Sequence, residues 1–167
     1  MFGRTNAKGV PMNALVLCLA ICVSILGVHF VSGGDLFLML AKSSGAIDYL
    51  YELNHLAADV YNHSLRVSIL AGVIAKWLHF DAEKAKDIML AGVLHDIGKT
   101  KFDQRLLDKN IENLKGEDYE RYIQHTVDGH HILASVGGLS DGVKLAAMQH
   151  HERMDGSGYP QGLRGDA

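Results

Sequence analysis

The spacing of apolar and polar residues predicts helices along most of this 167-residue chain. From Ile47 to Phe80 the apolar positions fit one long helix or two short ones, with Val67, Leu70, Ile74 and Trp77 on one face. No segment alternates as a half-buried strand does, so the pattern predicts an all-α fold. Three further helices are predicted, over Ala82–Leu94, Glu117–Ala134 and Val143–His151.

Capping and breaking residues mark the ends of these helices. Asp81 is a predicted N-cap for the helix that begins at Ala82, and either Ser140 or Asp141 can cap the last helix. Gly98 is expected to end the helix that Asp81 starts. A polar connector, with a short LLDKN segment inside it, then follows over Lys99–Gly116.

An apolar stretch near the start of the chain stands apart from this pattern. Ala14–Ser32 is close to twenty residues long, carries no charged side chain and follows a short basic leader. This length and polarity are typical of a transmembrane helix or signal anchor, and a buried helix is the alternative. The sequence therefore divides into an apolar leader over residues 1–44, which is a membrane-anchor candidate, and a helical domain over residues 45–167.

Composition and charge exclude several functional classes. The net charge of -3 argues against a strongly basic nucleic-acid binder, so DNA is not an expected partner. The two cysteines, Cys18 and Cys22, both lie in the apolar stretch, which gives no support to a disulfide framework or a thiolate zinc site. Nine of the ten histidines fall between His55 and His151. Many imidazoles with few thiols favour metal binding by histidine and carboxylate.

Four segments offer metal-ligand side chains at places where helices could aim them inward. Taken singly, each histidine is explained as well by a hydrogen bond in the core or by a place on the surface. Taken together, neutral imidazoles and carboxylates suit iron, manganese, zinc and similar divalent ions. The four segments are Asp59 with His63, the pair His95 and Asp96, the single His125, and the pair His150 and His151.

Asp96 and Lys99 add a chemical interpretation to this set. The two oxygens of a carboxylate such as Asp96 can bridge two ions. Two ions a few ångströms apart activate water and stabilise an in-line displacement at phosphorus. The Lys99 ammonium, three residues further on, could neutralise charge on phosphate oxygens. These residue types therefore favour hydrolysis of a phosphoester.

The same residues carry a family resemblance. HDIGK, over His95–Lys99, resembles the signature of the HD phosphohydrolase superfamily, and HHERMDGSGYP, over His150–Pro160, is similar to the second signature of its HD-GYP subgroup. YNHSLRV, over Tyr61–Val67, resembles the first-histidine segment, and His125 matches the intermediate histidine motif. The resemblance extends over about residues 50–165.

This resemblance implies an all-α HD-domain helical bundle, preceded here by the apolar helix, that hydrolyses cyclic di-GMP to pGpG or GMP in bacterial signalling. It implies two divalent ions, most commonly iron or manganese, and Asp96 and Lys99 as catalytic residues, with Lys99 near the scissile phosphate. The implied ligands are His63, His95 and Asp96 for one ion, and Asp96, His125, His150 and His151 for the other.

Two places depart from the family pattern. Some members hold a third ion with a glutamate one turn before the first histidine, and the shorter Asp59 stands at that place here. Members also complete the first ion site with an aspartate in a helix after the GYP segment, whereas this sequence stops at Ala167 and Asp166 is too close to that segment. The domain over residues 45–167 is therefore expected to be incomplete at its C-terminus. No ligand position corresponds to His55, His79, His130 or His131.

The GYP segment is a turn by composition alone. The resemblance implies a loop near the active site that is also a contact surface for diguanylate cyclase domains. Its residues are Asp155, Gly156, Gly158, Tyr159 and Pro160.

Three functional hypotheses remain open from the sequence. The first is the cyclic di-GMP phosphodiesterase, which would be cytoplasmic and anchored in the inner membrane, although a basic N-terminus favours the opposite orientation. The second is an HD phosphohydrolase that acts on another nucleotide substrate. The third is a non-catalytic signalling or interaction module, which the missing aspartate favours.

Overall fold

Helical periodicity in residues 46–165, the part of the chain that the computed structural model describes, produces seven α-helices. Within that part there is no strand beyond an isolated bridge between Asp155 and Arg164, so the predicted all-α fold is confirmed. The helices are α1 (Ala46–Leu56), α2 (Ala58–Trp77), α3 (Ala82–Leu94), α4 (Gln104–Leu107), α5 (Glu117–Ile123), α6 (His125–Ser135) and α7 (Asp141–Gln149), with 3-10 turns over Ile97–Lys101 and Ile111–Asn113.

The apolar leader over residues 1–44, including Ala14–Ser32, lies outside the described residues. Across residues 46–165, no helix combines the length and the apolar character needed to cross a bilayer.

Helix α3 supplies most of the principal core. Its Met89, Leu90, Val93 and Leu94 are all at most 1% exposed and pack with side chains from α1, α6 and α7. Complete burial of a side chain of this size stabilises a fold by about 1.5–3 kcal/mol relative to exposure. The C-terminal end of α3 is therefore a fixed point, and the turn that carries His95 begins there.

The buried face of α2 differs from the apolar face seen in the sequence. Leu70, Ile74 and Trp77 are exposed, and the buried positions are Tyr61, Ser64, Ser68, Gly72 and Ala75. Small residues on that face let α2 and α3 approach closely, and the Ser68 hydroxyl donates to the Met89 carbonyl at 2.8 Å. The buried face of α2 is therefore the one whose small residues allow close packing against α3, and not the one with the larger apolar side chains.

The predicted caps are present. The Asp81 carboxylate accepts the Lys84 N–H at 2.8 Å, and Ser140, rather than Asp141, accepts the Val143 N–H through its hydroxyl at 3.4 Å. His79 has a left-handed backbone (φ 56°) just after α2, which is a common way to end a helix. The break between α1 and α2 falls at Ala57, so the stretch predicted as one or two helices is two.

The single helix predicted over Glu117–Ala134 is divided at Gln124 into α5 and α6. Side chains explain the division, because the His125 ring donates to the Tyr122 carbonyl and the Thr126 hydroxyl donates to the Ile123 carbonyl. Such bonds compete with the backbone ladder of a continuous helix. The last helix also ends earlier than predicted, at Gln149, so that the two adjacent histidines follow it.

Candidate metal centre

A cavity of about 690 Å³ opens between α2, α3, the turn after α3 and the end of α7. This volume is within the usual range for small-molecule sites, about 300–1,000 Å³. One part of its wall is apolar and includes Val67, Ala71 and Ile88. The other part is polar and holds predicted site residues, namely Asp59, His63, His95, Asp96, Lys99, His150 and His151.

The turn after α3 places Asp96 against α6. Asp96 is 2% exposed and directly precedes the 3-10 turn. An added Cβ at Gly98 would overlap the carbonyl oxygen of His125, so only glycine lets this turn lie so close to the start of α6. The glycine of HDIGK therefore brings Asp96 and His125 together.

The two oxygens of Asp96 face different groups. Oδ2 is 2.8 Å from the Lys99 ammonium and 3.3 Å from His95 Nε2. Oδ1 is 3.4 Å from His125 Nε2 and 3.6 Å from His150 Nε2, and it has no hydrogen-bond partner among the described residues. One carboxylate thus contacts two separate sets of imidazoles.

These sets form two groups of potential ligand atoms. The members of each group offer atoms that all lie within 4.8 Å of one another, and Asp96 belongs to both. The first group is His63, His95 and Asp96; the second is Asp96, His125, His150 and His151.

Backbone carbonyls orient three of the imidazoles. The Nδ1–H of His95 donates to the Gly92 carbonyl at 2.8 Å, that of His125 to Tyr122 at 2.6 Å, and that of His150 to Ala147 at 3.0 Å. A neutral imidazole that donates through Nδ1 presents a lone pair at Nε2. The Nε2 atoms of His125 and His150 are 3.3 Å apart, so two acceptors face each other beside a third, Asp96 Oδ1.

The surroundings favour the neutral form of three imidazoles and the charged form of the carboxylate. Burial lowers the pKa of His63 and His125, and burial followed by the neighbouring His150 and His125 lowers the pKa of His151 to about 3. Burial alone would raise the pKa of Asp96. The neighbouring His125, His150 and His95, followed by the Lys99 charge, nevertheless hold that pKa well below its usual range.

The donor chemistry of this site fits divalent cations. Ring nitrogens of several imidazoles and one carboxylate converge, and protonation of His63, His125 and His151 is disfavoured. Nitrogen and oxygen donors without thiolate suit iron, manganese and zinc. The described residues therefore provide clusters consistent with metal binding.

Lys99 is buried beside the clusters. Its ammonium pairs with Asp96 and lies 5.4 Å from the centre of the Tyr122 ring. Tyr122 contributes a ring under the ammonium and a carbonyl that orients His125, a role not anticipated from sequence.

Other predicted residues lie outside the clusters. Asp59 lines the cavity and is exposed, but it belongs to neither group of ligand atoms, and its role with a third ion stays a prediction. His55, His79 and His131 are exposed, and His130 lies outside both groups.

The GYP segment lies against the second group. The Tyr159 ring stacks on the His151 ring, with centroids 4.6 Å apart and an interplanar angle of 23°. Glu152, not singled out from sequence, accepts three backbone N–H groups of the same loop. Its position directly after His150 and His151 is the signal that could have drawn attention to it.

Comparison with known proteins identifies this arrangement. Residues 51–167 match the HD domain family. The 3'3'-cGAMP-specific phosphodiesterase 1 of Vibrio cholerae is 38% identical over 107 residues, which are 64% of this chain and 24% of that protein. A cyclic di-GMP phosphodiesterase of Thermotoga maritima is 38% identical over 127 residues, covering 70% of this chain and 34% of that protein. The cyclic di-GMP phosphodiesterase response regulator RpfG of Xanthomonas campestris is 36% identical over 103 residues, covering 61% and 27%.

The chain spans between a quarter and a third of the length of these relatives. Their names confirm the resemblance to cyclic dinucleotide phosphodiesterases, and the matched range contains both His/Asp clusters. The chain belongs to the HD domain family and is similar in sequence to those cyclic dinucleotide phosphodiesterases.

Proposed function

We propose that this protein hydrolyses cyclic di-GMP to pGpG or GMP in bacterial signalling. The observation that carries the proposal is the position of Asp96, whose two oxygens face two different imidazole groups 3.3 to 3.6 Å away. A carboxylate in that position suits a pair of ions, and paired ions are a common device for in-line displacement at phosphorus. The relatives named for cyclic dinucleotides supply the substrate class.

The proposed ligands follow from the two groups of atoms. His63, His95 and Asp96 would hold one divalent ion, and Asp96 with the remaining three histidines would hold the other, with iron or manganese as the expected metals. Bound there, the two ions would supply a Lewis acid and an activated water for attack at phosphorus. A third ion near Asp59 remains part of the proposal.

The residues of this chain would orient the metal-binding atoms and balance the charge of the phosphate. Asp96 stays ionised, and the carbonyl bonds of His95 and His125 keep their Nε2 lone pairs directed inward. Lys99 is proposed to neutralise charge on the phosphate, since its ammonium lies on the cavity wall. The apolar wall around Val67 and Ile88 provides a surface for the faces of nucleobases.

Two wider features of the proposal concern location and partners. A cyclic di-GMP phosphodiesterase would work in the cytoplasm, and the leader over residues 1–44 would anchor it to the inner membrane. The GYP loop would contact diguanylate cyclase domains, because several of its residues, including Asp155 and Pro160, are exposed.

The test compares the 167-residue chain with an Asp96→Asn variant after loading with Fe²⁺ or Mn²⁺ without oxygen. We expect two ions per wild-type chain and release of pGpG or GMP from cyclic di-GMP. Asp96→Asn should lower metal affinity by at least about 100-fold, since both groups lose their charged ligand. It should also destabilise the metal-free fold by about 3–5 kcal/mol, because the buried Lys99 loses its partner. The exposed His131→Asn is the control and should behave as wild type.

Substrate profiling separates the alternatives. A preference for 3'3'-cGAMP, which the Vibrio relative's name favours, would assign the second hypothesis. Turnover of neither dinucleotide by a chain that binds two ions would favour a non-catalytic module. Unchanged turnover in Asp96→Asn would refute the proposed site.

A further inference from the structure

The loop over residues 152–165 is closed by one carboxylate. Glu152 Oε1 accepts the N–H groups of Gln161 at 2.6 Å and Gly162 at 3.2 Å, and Oε2 accepts that of Leu163 at 3.0 Å. Hydrogen bonds to an ionised acceptor are stronger than those between neutral groups. Glu152 therefore ties the far end of the loop back to its beginning.

The closed loop brings Tyr159 onto His151. A Cβ added to Gly158 would lie 2.5 Å from the His151 carbonyl oxygen, so the loop packs against this backbone segment with no room for a side chain. The next residue, Tyr159, donates its N–H to that carbonyl at 3.3 Å and stacks its ring on the imidazole. The phenol of Tyr159 is half-buried, and burial raises its pKa.

His151 differs from its neighbours in how its ring is oriented. His95, His125 and His150 each donate through Nδ1 to a backbone carbonyl. For His151, the described residues provide no such bond, and its ring contacts are with His125, His150 and Tyr159. Stacking on the Tyr159 ring thus orients the His151 imidazole, as a hydrogen bond to a carbonyl orients the other three imidazoles.

We infer that Glu152 is a positioning residue for the metal centre, which acts by closing the 152–165 loop so that Tyr159 fixes the His151 imidazole. The inference rests on the proposed role of His151 as a metal ligand. It assigns the GYP loop a structural task in the second group of ligands, separate from contact with a partner protein.

The experiment compares Glu152→Ala, Glu152→Gln, Tyr159→Leu and Tyr159→Phe in the 167-residue chain. Two measurements do not depend on enzymatic turnover. One is the ring-current shift of the His151 ring protons in the metal-free protein, and the other is the Mn²⁺ affinity, followed by electron paramagnetic resonance. Partners that orient a metal ligand typically change metal affinity 10–100-fold when removed. The exposed Glu83→Gln, which loses a pair with Lys86 far from the loop, is the matched control.

We expect Glu152→Ala and Tyr159→Leu to lose the ring-current shift and to weaken one of the two Mn²⁺ sites by about 10–100-fold, with a smaller change at the other. Glu152→Gln should rescue part of the affinity through its remaining carbonyl acceptor, and Tyr159→Phe should match wild type. Retention of both the shift and the affinity in Glu152→Ala would overturn the inference. If that variant lost its fold, full affinity in Tyr159→Leu would overturn it equally. A chain without dinucleotide turnover but with these affinity changes would refute the proposed function and leave the inference standing.

Discussion

Two segments place potential metal-binding side chains in the same cavity, and different interactions hold each segment in position. The turn over His95–Lys99 is almost fully buried and is fixed by packing between α3 and α6. The loop over residues 152–165 is largely exposed and is fixed by hydrogen bonds to its own carboxylate and carbonyl groups. Asp96 is therefore as rigid as the core, whereas the orientation of His151 depends on a structure that can open without unfolding the core.

We expect the two segments to differ most in how much stability each loses when a glycine is replaced by alanine. Gly98→Ala forces a Cβ onto the His125 carbonyl, and we expect the free energy of unfolding to fall by about 2–3 kcal/mol, as in an overpacked core. Gly158→Ala also meets backbone, at 2.5 Å against 1.9 Å for Gly98→Ala, but the exposed loop can open, so the loss should be about 1 kcal/mol or less. Urea unfolding of the metal-free variants measures both.

Mn²⁺ titration of the same pair sharpens the comparison. Gly98→Ala should weaken both sites, because it moves Asp96, and Gly158→Ala should weaken one. Equal losses of stability would show that the loop belongs to the same cooperative unit as the core.

The second prediction concerns acid. His125 and His151 both have pKa values below that of a free histidine, so the unfolded chain binds more protons than the folded one as the pH falls below about 6.5. The metal-free protein should therefore lose stability between pH 6.5 and pH 5. His125 and His151 each contribute at most about 1.4 kcal/mol per pH unit.

Unfolding free energies of His125→Asn and His151→Asn across this pH range test this prediction. The pH dependence should flatten in both variants, and the exposed His131→Asn should leave it unchanged. A pH-independent wild type would contradict the neutral state assigned to these imidazoles.

The smallest expected effects come from two hydroxyl groups. The buried Thr100 hydroxyl donates to the Ile97 carbonyl at 2.8 Å, so Thr100→Val should cost about 1 kcal/mol. The exposed Ser157 hydroxyl donates to Asp155 at 2.6 Å, and Ser157→Ala should change stability by less than about 0.5 kcal/mol. Thermal unfolding of the two variants measures both losses. A larger loss in Ser157→Ala than in Thr100→Val would contradict the view that the buried turn is more rigid than the exposed loop.

Local chemistry made part of this structure predictable from sequence. Asp81 and Ser140 cap their helices through bonds three residues away, which the chain itself specifies. HDIGK places a carboxylate after a helix end and a glycine where the next helix approaches. The structure then brings the predicted ligands of each group together, while their role in holding metal stays a prediction.

Features that depend on tertiary contacts were not predictable in the same way. The buried face of α2 depends on how closely α3 can approach, and apolar counting pointed to the wrong side. The break at Gln124 arises from side-chain bonds of His125 and Thr126 that compete with the helix. The hydrogen bonds of Glu152 join it to residues nine to eleven positions later, a contact that depends on how the loop folds back.

The placement of Asp96 between two imidazole groups has a thermodynamic consequence. A cation held near Oδ1 would withdraw negative charge from Oδ2, and a cation near Oδ2 would do the same to Oδ1. The affinities of the two proposed ion sites are therefore linked through one residue, and linkage requires the coupling to be reciprocal. Binding of the first ion would change the affinity for the second, so the metal content of this protein should respond to metal concentration as a coupled system rather than as two independent sites.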